Sequence, residues 1–331
     1  MNRSTSPTRY EATTTDGWNL ALYRYQPTRG AIKGQAPIFL CHGLGANRYN
    51  LDAPGKMSFA RWIASQGFDA WVVELRGAGK STRPSLFNKF KYNWTFDDYV
   101  HRDAPAAIEK VLQVTGAPQV HWLGHSMGGM IAYAYLMTQG QDRVRSIVTV
   151  GSPAMAHAAH PILKKVLGLR HVLRRVPAVP YASASFLLAP AMPLFKNTAG
   201  WLFGNPRNLG TRDMMKLICT VPSNLPTSLM AQFGDWIAES GFAGLEGQVP
   251  YYSELSRITV PALLIAGAVD ILTPPREIEY VHDEIRSTDK TLMTFGRANG
   301  CKYDYGHIDL ILGKTAPKEV WPHILTFLTD H

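Results

Sequence analysis

Val120-His121-Trp122-Leu123-Gly124-His125-Ser126-Met127-Gly128-Gly129-Met130-Ile131-Ala132-Tyr133 joins a strand-like apolar run to a helical one, with G-x-S-x-G at the junction. A sharp turn from strand to helix strains the backbone of the central residue and lifts its side chain above the sheet edge. The flanking glycines answer a steric demand: a side chain two residues before or after Ser126 would strike the neighbouring helix or strand. The opening helix turns its free N–H groups toward the same point. Taken alone, the pattern also fits a glycine-rich turn with an inert serine, so the partners of Ser126 decide its meaning.

Outward from this junction, short apolar runs alternate with helical stretches, the rhythm of a mostly parallel central sheet flanked by helices. Residues 9–14 and 19–25 flank Asp16-Gly17 and read as an opening hairpin. Pro37 to Cys41 reads as a buried strand, 57–66 as a helix, Phe68 to Leu75 as a strand, and 97–114 as a long helix ended by Gly116. Gln119 to Leu123 is a strand, Met127 to Thr138 a helix, and Val144 to Val150 another strand. Val260 to Ala266 and Thr291 to Phe295 read as the last strands, with a helix over Pro317 to Leu328. Between Gly151 and Arg257 the rhythm stops for a stretch too long to be a structureless loop in a compact domain. The expectation is a core over 1–151, an inserted helical cap over 152–256 and a second core segment over 257–331.

A serine is a weak nucleophile at neutral pH and needs a base. Among eleven histidines, His307 follows the last strand and precedes the final helix in Tyr305-Gly306-His307-Ile308-Asp309. His42 falls in a glycine loop, His157, His160 and His171 fall in the cap, and His125 is expected to direct its ring away from the neighbouring serine. The base needs an acid to hold it. Asp270 follows the strand Leu263-Leu264-Ile265-Ala266, which places it at the carboxyl edge of the sheet. Rival acids are Asp304, Asp309 and Glu74, the last expected to pair with Arg76. An oxyanion needs two backbone donors. The N–H of Met127 is one expectation, and that of Leu44 in His42-Gly43-Leu44-Gly45 is the other.

The chain has 331 residues, 46% hydrophobic and 18% charged, a globular composition that excludes a disordered chain. Lys and Arg number 34 against 25 Asp and Glu, for a net charge of +9. The excess is diffuse and brings no nucleic-acid motif. Cys41, Cys219 and Cys301 form no metal or redox spacing and are too few for a disulfide framework. The first ten residues lack an apolar signal core, so a cytoplasmic location is expected. Val176 to Phe195 is long and uncharged, but four prolines argue against a membrane span.

Several ordered segments resemble the α/β-hydrolase superfamily, and within it the acid-lipase-like branch of carboxylic ester hydrolases. These are His42-Gly43-Leu44, Phe59-Ala60, Gly67-Phe68-Asp69-Ala70-Trp71 leading to Arg76-Gly77, Trp94-Thr95-Phe96-Asp97-Asp98, Asp103-Ala104-Pro105-Ala106, Thr115-Gly116 and Tyr305-Gly306-His307-Ile308-Asp309. The order Ser126, Asp270, His307 is that of the superfamily's triad. The chain departs from acid lipases in lacking a signal core and in carrying Met127-Gly128-Gly129 after the serine. Serine at the elbow, where polymer synthases carry cysteine, favours hydrolysis over polymer synthesis, and an aspartate that would suggest a dehalogenase or epoxide hydrolase is absent there.

The resemblance implies a serine hydrolase of carboxylic esters, with Ser126 as nucleophile, His307 as base, Asp270 as its orienting acid, and Leu44 and Met127 as oxyanion donors. The chemistry calls for no metal and no organic cofactor. The expected partner is a small or lipid-like ester. Alternatives on the same residues are a thioesterase, a carbon–carbon bond hydrolase or a perhydrolase, and, outside catalysis, a binding member using the closed pocket. Specificity is expected to lie in the cap. Pro161 to Val176 alternates apolar residues with Lys164, Lys165, Arg170, Arg174 and Arg175, which suits a basic amphipathic helix packed over the pocket or set against an anionic surface.

Overall fold

Ile38-Phe39-Leu40-Cys41 is buried along its whole length, as a strand covered on both faces must be. It is strand β3 of an eight-stranded sheet in a computed structural model that describes residues 6–28, 30–32, 34–154, 176–195, 201, 204–239, 241–244 and 250–331. The others are β1 (Thr8–Thr13), β2 (Asn19–Tyr25), β4 (Ala70–Glu74), β5 (Val120–His125), β6 (Val144–Val150), β7 (Ala262–Gly267) and β8 (Lys290–Phe295). Their spatial order is β1-β2-β4-β3-β5-β6-β7-β8. The opening hairpin and the β2–β4 pair are antiparallel, and every later neighbour is parallel.

Helices cover both faces. Among the described residues, the α-helices of seven or more residues are α1 (Phe59–Ser65), α2 (Ala104–Thr115), α3 (Met127–Thr138), α4 (Tyr181–Leu188), α5 (Thr211–Thr220), α6 (Thr227–Glu239), α7 (Pro275–Glu284) and α8 (Trp321–Asp330). Every residue of α3 from Met127 to Met137 is buried, because the helix after the elbow runs through the centre of the molecule and is apolar all round. Two apolar clusters result, one per face: Trp71, Trp122 and Tyr133 mark one, and Phe59, Phe68 and Trp321 the other.

Two local differences from the sequence expectations have backbone causes. The helix expected over 97–114 passes through a π turn at Tyr99–Asp103, with the Ala104 N–H reaching the Tyr99 carbonyl, because Pro105 has no N–H to return to His101. The helix expected over 317–328 is interrupted: Ala316–Glu319 ends before α8, whose second residue is Pro322. Helix α7, not anticipated, supplies the crossover between β7 and β8. Of the expected basic cap helix, residues 161–175 lie outside the described residues. No helix among the described residues is long and apolar enough to cross a membrane.

Candidate active site

Strand β5 delivers Ser126 into a backbone conformation of φ 54° and ψ −121°, and among the described residues it is the one non-glycine at positive φ. The Ser126 N–H donates to the Val150 carbonyl at 2.8 Å, which ties the turn to β6. A Cβ on Gly124 would overlap the backbone of Gly128 and Gly129, and one on Gly128 would overlap the Cys41 carbonyl. The two glycines therefore let α3 close onto β5 and β3 beneath the serine.

His307 and Asp270 meet at the same carboxyl edge. The His307 Nδ1 stands 2.7 Å from Asp270 Oδ2, with both side chains almost fully buried. Asp270 Oδ1 accepts the N–H groups of Leu272 and Thr273, each at 2.9 Å, and Oδ2 accepts the Thr273 hydroxyl at 2.6 Å. Burial pushes the Asp270 carboxyl up, but the charge and hydrogen bond of His307 and the two Thr273 donors outweigh it, and the net shift is downward. A carboxylate held ionised here keeps the imidazole proton on Nδ1 and leaves Nε2 as the basic nitrogen. Gly151, at φ +58°, makes room: a Cβ there would stand 3.1 Å from His307 Nδ1.

Ser126 and His307 line one cavity of about 260 Å³, together with Gly43 and Leu44. The Leu44 N–H has no protein acceptor among the described residues. Met127 is the first residue of α3, so its N–H has no partner within the helix. The rest of the wall is mainly apolar, including Met130, Tyr181, Phe233, Trp236, Phe242 and Leu272. The nearby Tyr251 and Tyr252 do not line it: Tyr251 donates to Asp97 and Tyr252 is exposed. A second apolar cavity of about 230 Å³ adjoins the first, sharing Asn50, Tyr181, Val221, Pro222 and Ile308.

The rival acids serve other groups. Glu74 does not pair with Arg76, contrary to the sequence expectation. It accepts the Lys80 N–H at 2.6 Å and the Arg48 N–H at 3.4 Å. Arg76, which lies beyond the end of β4, turns to Asp103, Asp16 and Asp98. Asp304 accepts the Arg297 N–H. Asp309 accepts the N–H groups of Asn205 and Gly306 and the Asn208 amide.

Sequence reasoning missed three neighbours. His125 does not turn away from the site: it lines the cavity, its Nδ1 3.1 Å from Asn50 Oδ1 and its Nε2 3.2 Å from the His307 carbonyl. Burial, and then the charge of His307, push its pKa down to about 3, so it is neutral. Asn50 accepts the Gly43 N–H at 3.1 Å through the same oxygen. Thr273, three residues past Asp270, was legible only as part of Thr273-Pro274-Pro275. His42 stays in its loop, donating from Nδ1 to the Gly43 carbonyl and accepting the Leu75 N–H at Nε2, with burial lowering its pKa to about 4.

The alpha/beta hydrolase fold family matches residues 36–299 of the chain. Triacylglycerol lipase 2 of Arabidopsis thaliana is 24% identical over 375 residues, covering 96% of this chain and 83% of the plant protein. Gastric triacylglycerol lipase of Mus musculus is 24% identical over 381 residues, covering 97% of this chain and 88% of the mouse protein. The structure of a thermophilic esterase from Thermogutta terrifontis superposes with a TM-score of 0.62 at 21% identity, covering 98% of each chain.

Proposed function

Since the chain belongs to the α/β hydrolase fold family, we propose that it cleaves carboxylic esters through an acyl-enzyme on Ser126. The observation that carries this reading is a serine at positive φ in one cavity with His307, whose Nδ1 stands 2.7 Å from a buried Asp270. Similarity to triacylglycerol lipases along nearly the whole chain supports it.

In this reading the Ser126 hydroxyl attacks the ester carbonyl while His307 Nε2 takes its proton. The oxyanion accepts hydrogen bonds from the N–H groups of Leu44 and Met127. The imidazolium, stabilised by Asp270, returns the proton to the departing alkoxide. A water molecule then gives its proton to His307 and attacks the acyl carbonyl, releasing the acid and restoring Ser126. Residues 152–256 act as a cap between the core segments 1–151 and 257–331. Tyr181, Phe233, Trp236 and Phe242 from that cap favour an apolar, lipid-like ester.

The test is a fluorophosphonate probe mapped by mass spectrometry, with turnover of p-nitrophenyl, acyl-CoA and diketone substrates compared. Labelling falls on Ser126, and Ser126→Ala lowers p-nitrophenyl ester turnover by roughly 10⁵-fold or more with the fold intact. Ester turnover unchanged in that variant overturns the reading. Faster cleavage of the thioester or the diketone replaces it with the corresponding activity on the same residues.

A further inference from the structure

We propose that the loop after β4, with Leu86 and Phe87 at its tip, is a docking element for a bilayer surface carrying anionic phospholipid. Leu86 and Phe87 are 98% and 97% exposed, the most exposed large apolar side chains among the described residues. They do not hang on a slack strand of chain. The Asn88 side chain knots the tip: its Oδ1 accepts the N–H groups of Ser85 and Phe90 at 3.3 and 3.2 Å, and its Nδ2 donates to the Arg83 carbonyl at 2.9 Å. Below the tip, Phe90 stacks on Trp18 at 4.5 Å between ring centroids, and Trp18 meets Trp94 at 5.2 Å. The fold thus pays an exposure cost to hold two apolar side chains outward on a braced turn.

Charge identifies the occupant. No carboxylate occurs between Glu74 and Asp97, whereas Lys80, Arg83, Lys89 and Lys91 all fall there and all are exposed. Among the described residues none of the four is paired with a carboxylate. Asp16, on the hairpin turn beside Lys89, is already held by Arg76 and Arg102. Pairing of this face with itself in a two-fold dimer would bring like charge against like. A projecting tip needs a matching pocket on a protein, but a bilayer admits apolar side chains between headgroups while its phosphates meet the surrounding cations. The placement serves access to the cavity. The loop leaves the carboxyl end of β4, the same sheet edge that carries Ser126 and Asp270. Its base is fastened to α6, a helix of the cavity wall, by the Ser228 hydroxyl on the Trp94 carbonyl and the Phe96 N–H on Gln232.

The proposal does not rest on the hydrolytic reading, because binding is measured on vesicles that no esterase cleaves. The full chain is sedimented with vesicles of ether-linked phosphatidylcholine, alone or mixed with ether-linked phosphatidylglycerol. Wild type binds the mixed vesicles at least about tenfold more tightly than the neutral ones. Leu86→Ser with Phe87→Ser weakens binding to the mixed vesicles by roughly tenfold or more. Arg83→Gln with Lys89→Gln and Lys91→Gln removes the preference for the anionic vesicles. Both variants keep the wild-type melting temperature and turnover of a soluble short-chain ester. Absence of wild-type binding, equal binding to both vesicle types, or wild-type binding by the Leu86–Phe87 variant overturns the proposal.

Discussion

The side-chain oxygen of Asn50 stands 3.1 Å from Nδ1 of His125, although the two residues are 75 positions apart. The same oxygen accepts the Gly43 N–H, so one carboxamide ties the loop carrying Leu44 to the elbow carrying Ser126. His125, neutral at physiological pH, has one ring proton and faces two acceptors, Asn50 Oδ1 and the His307 carbonyl. Its proton serves one of them at a time.

Replacing Asn50 with Leu leaves the buried Gly43 N–H without its acceptor, at a cost of about 1–3 kcal/mol. Leu44 is then held less firmly. The expected result is a kcat lowered about tenfold on a soluble ester with KM little changed, since the lost order matters most when the oxyanion forms. Asn50→Asp keeps an acceptor oxygen for Gly43 and recovers part of the loss. Steady-state kinetics with denaturant unfolding separate the two effects, and an unchanged kcat in Asn50→Leu contradicts this coupling.

Asp270→Asn tests the electrostatics at His307. The substitution removes the charge that fixes the ring proton on Nδ1, and the expected fall in kcat is about 10³- to 10⁴-fold. Stability changes with a definite sign. The folded carboxyl lies below its ordinary value, so its ionised form stabilises the protein above the unfolded carboxylate pKa, and that contribution is lost as pH falls through the folded value. The stability gap between wild type and variant therefore narrows below about pH 4. Urea titrations from neutral to acid pH check it, and a gap that widens in acid contradicts the assignment.

Gly128→Ala probes the floor of the elbow. Its Cβ would overlap the Cys41 carbonyl and stand 2.9 Å from that of His42. These are backbone atoms and cannot swing aside, so β3 must shift, at about 1–3 kcal/mol. The shift moves the adjoining Gly43-Leu44 turn, and activity is expected to drop further than the melting temperature suggests. Fluorophosphonate labelling rate against thermal unfolding measures both.

The elbow was legible because its sterics are local: residues 124–129 collide or fit within a few positions of one another. The strand rhythm was legible for the same reason, since β3, β5 and β6 are short apolar runs bounded by turn residues. Asn50 left no comparable mark. Its importance comes from contacts with Gly43 and His125 that only the folded sheet brings together. The Glu74–Arg76 expectation failed on the same ground, because closeness along the chain says nothing once β4 ends at Glu74 and the following backbone turns. Helix α7 did carry a signal, Pro275 at its start and Ile278 and Val281 buried three apart, which its few apolar residues kept faint. Phe233, Trp236 and Phe242 were visible as aromatics, but which aromatics face the cavity is set by the packing of α6 against Phe96, not by their spacing.

Asp309 offers a pH test with the opposite sign to Asp270. It is fully buried, and burial pushes its carboxyl up to about 6 even though Asn205, Asn208 and Gly306 donate to it. Gly306 adjoins His307, and Asn205 also donates to the Asp304 carbonyl, so Asp309 is bonded directly to the loop that carries the base. A folded pKa above the unfolded one means that its contribution to stability is complete below the unfolded value near 4 and is lost as pH rises through about 6. Asp309→Asn cannot ionise and escapes that loss. It also places an amide against the Asn208 amide, which adds a penalty that does not vary with pH. Between pH 4 and 7 the variant should therefore gain on wild type by about 3 kcal/mol, whatever its absolute stability. Chemical denaturation across that range measures the difference, from which the other titrating groups cancel. A difference that stays flat with pH means that Asp309 ionises as an ordinary carboxylate, and that burial against the His307 loop costs it nothing.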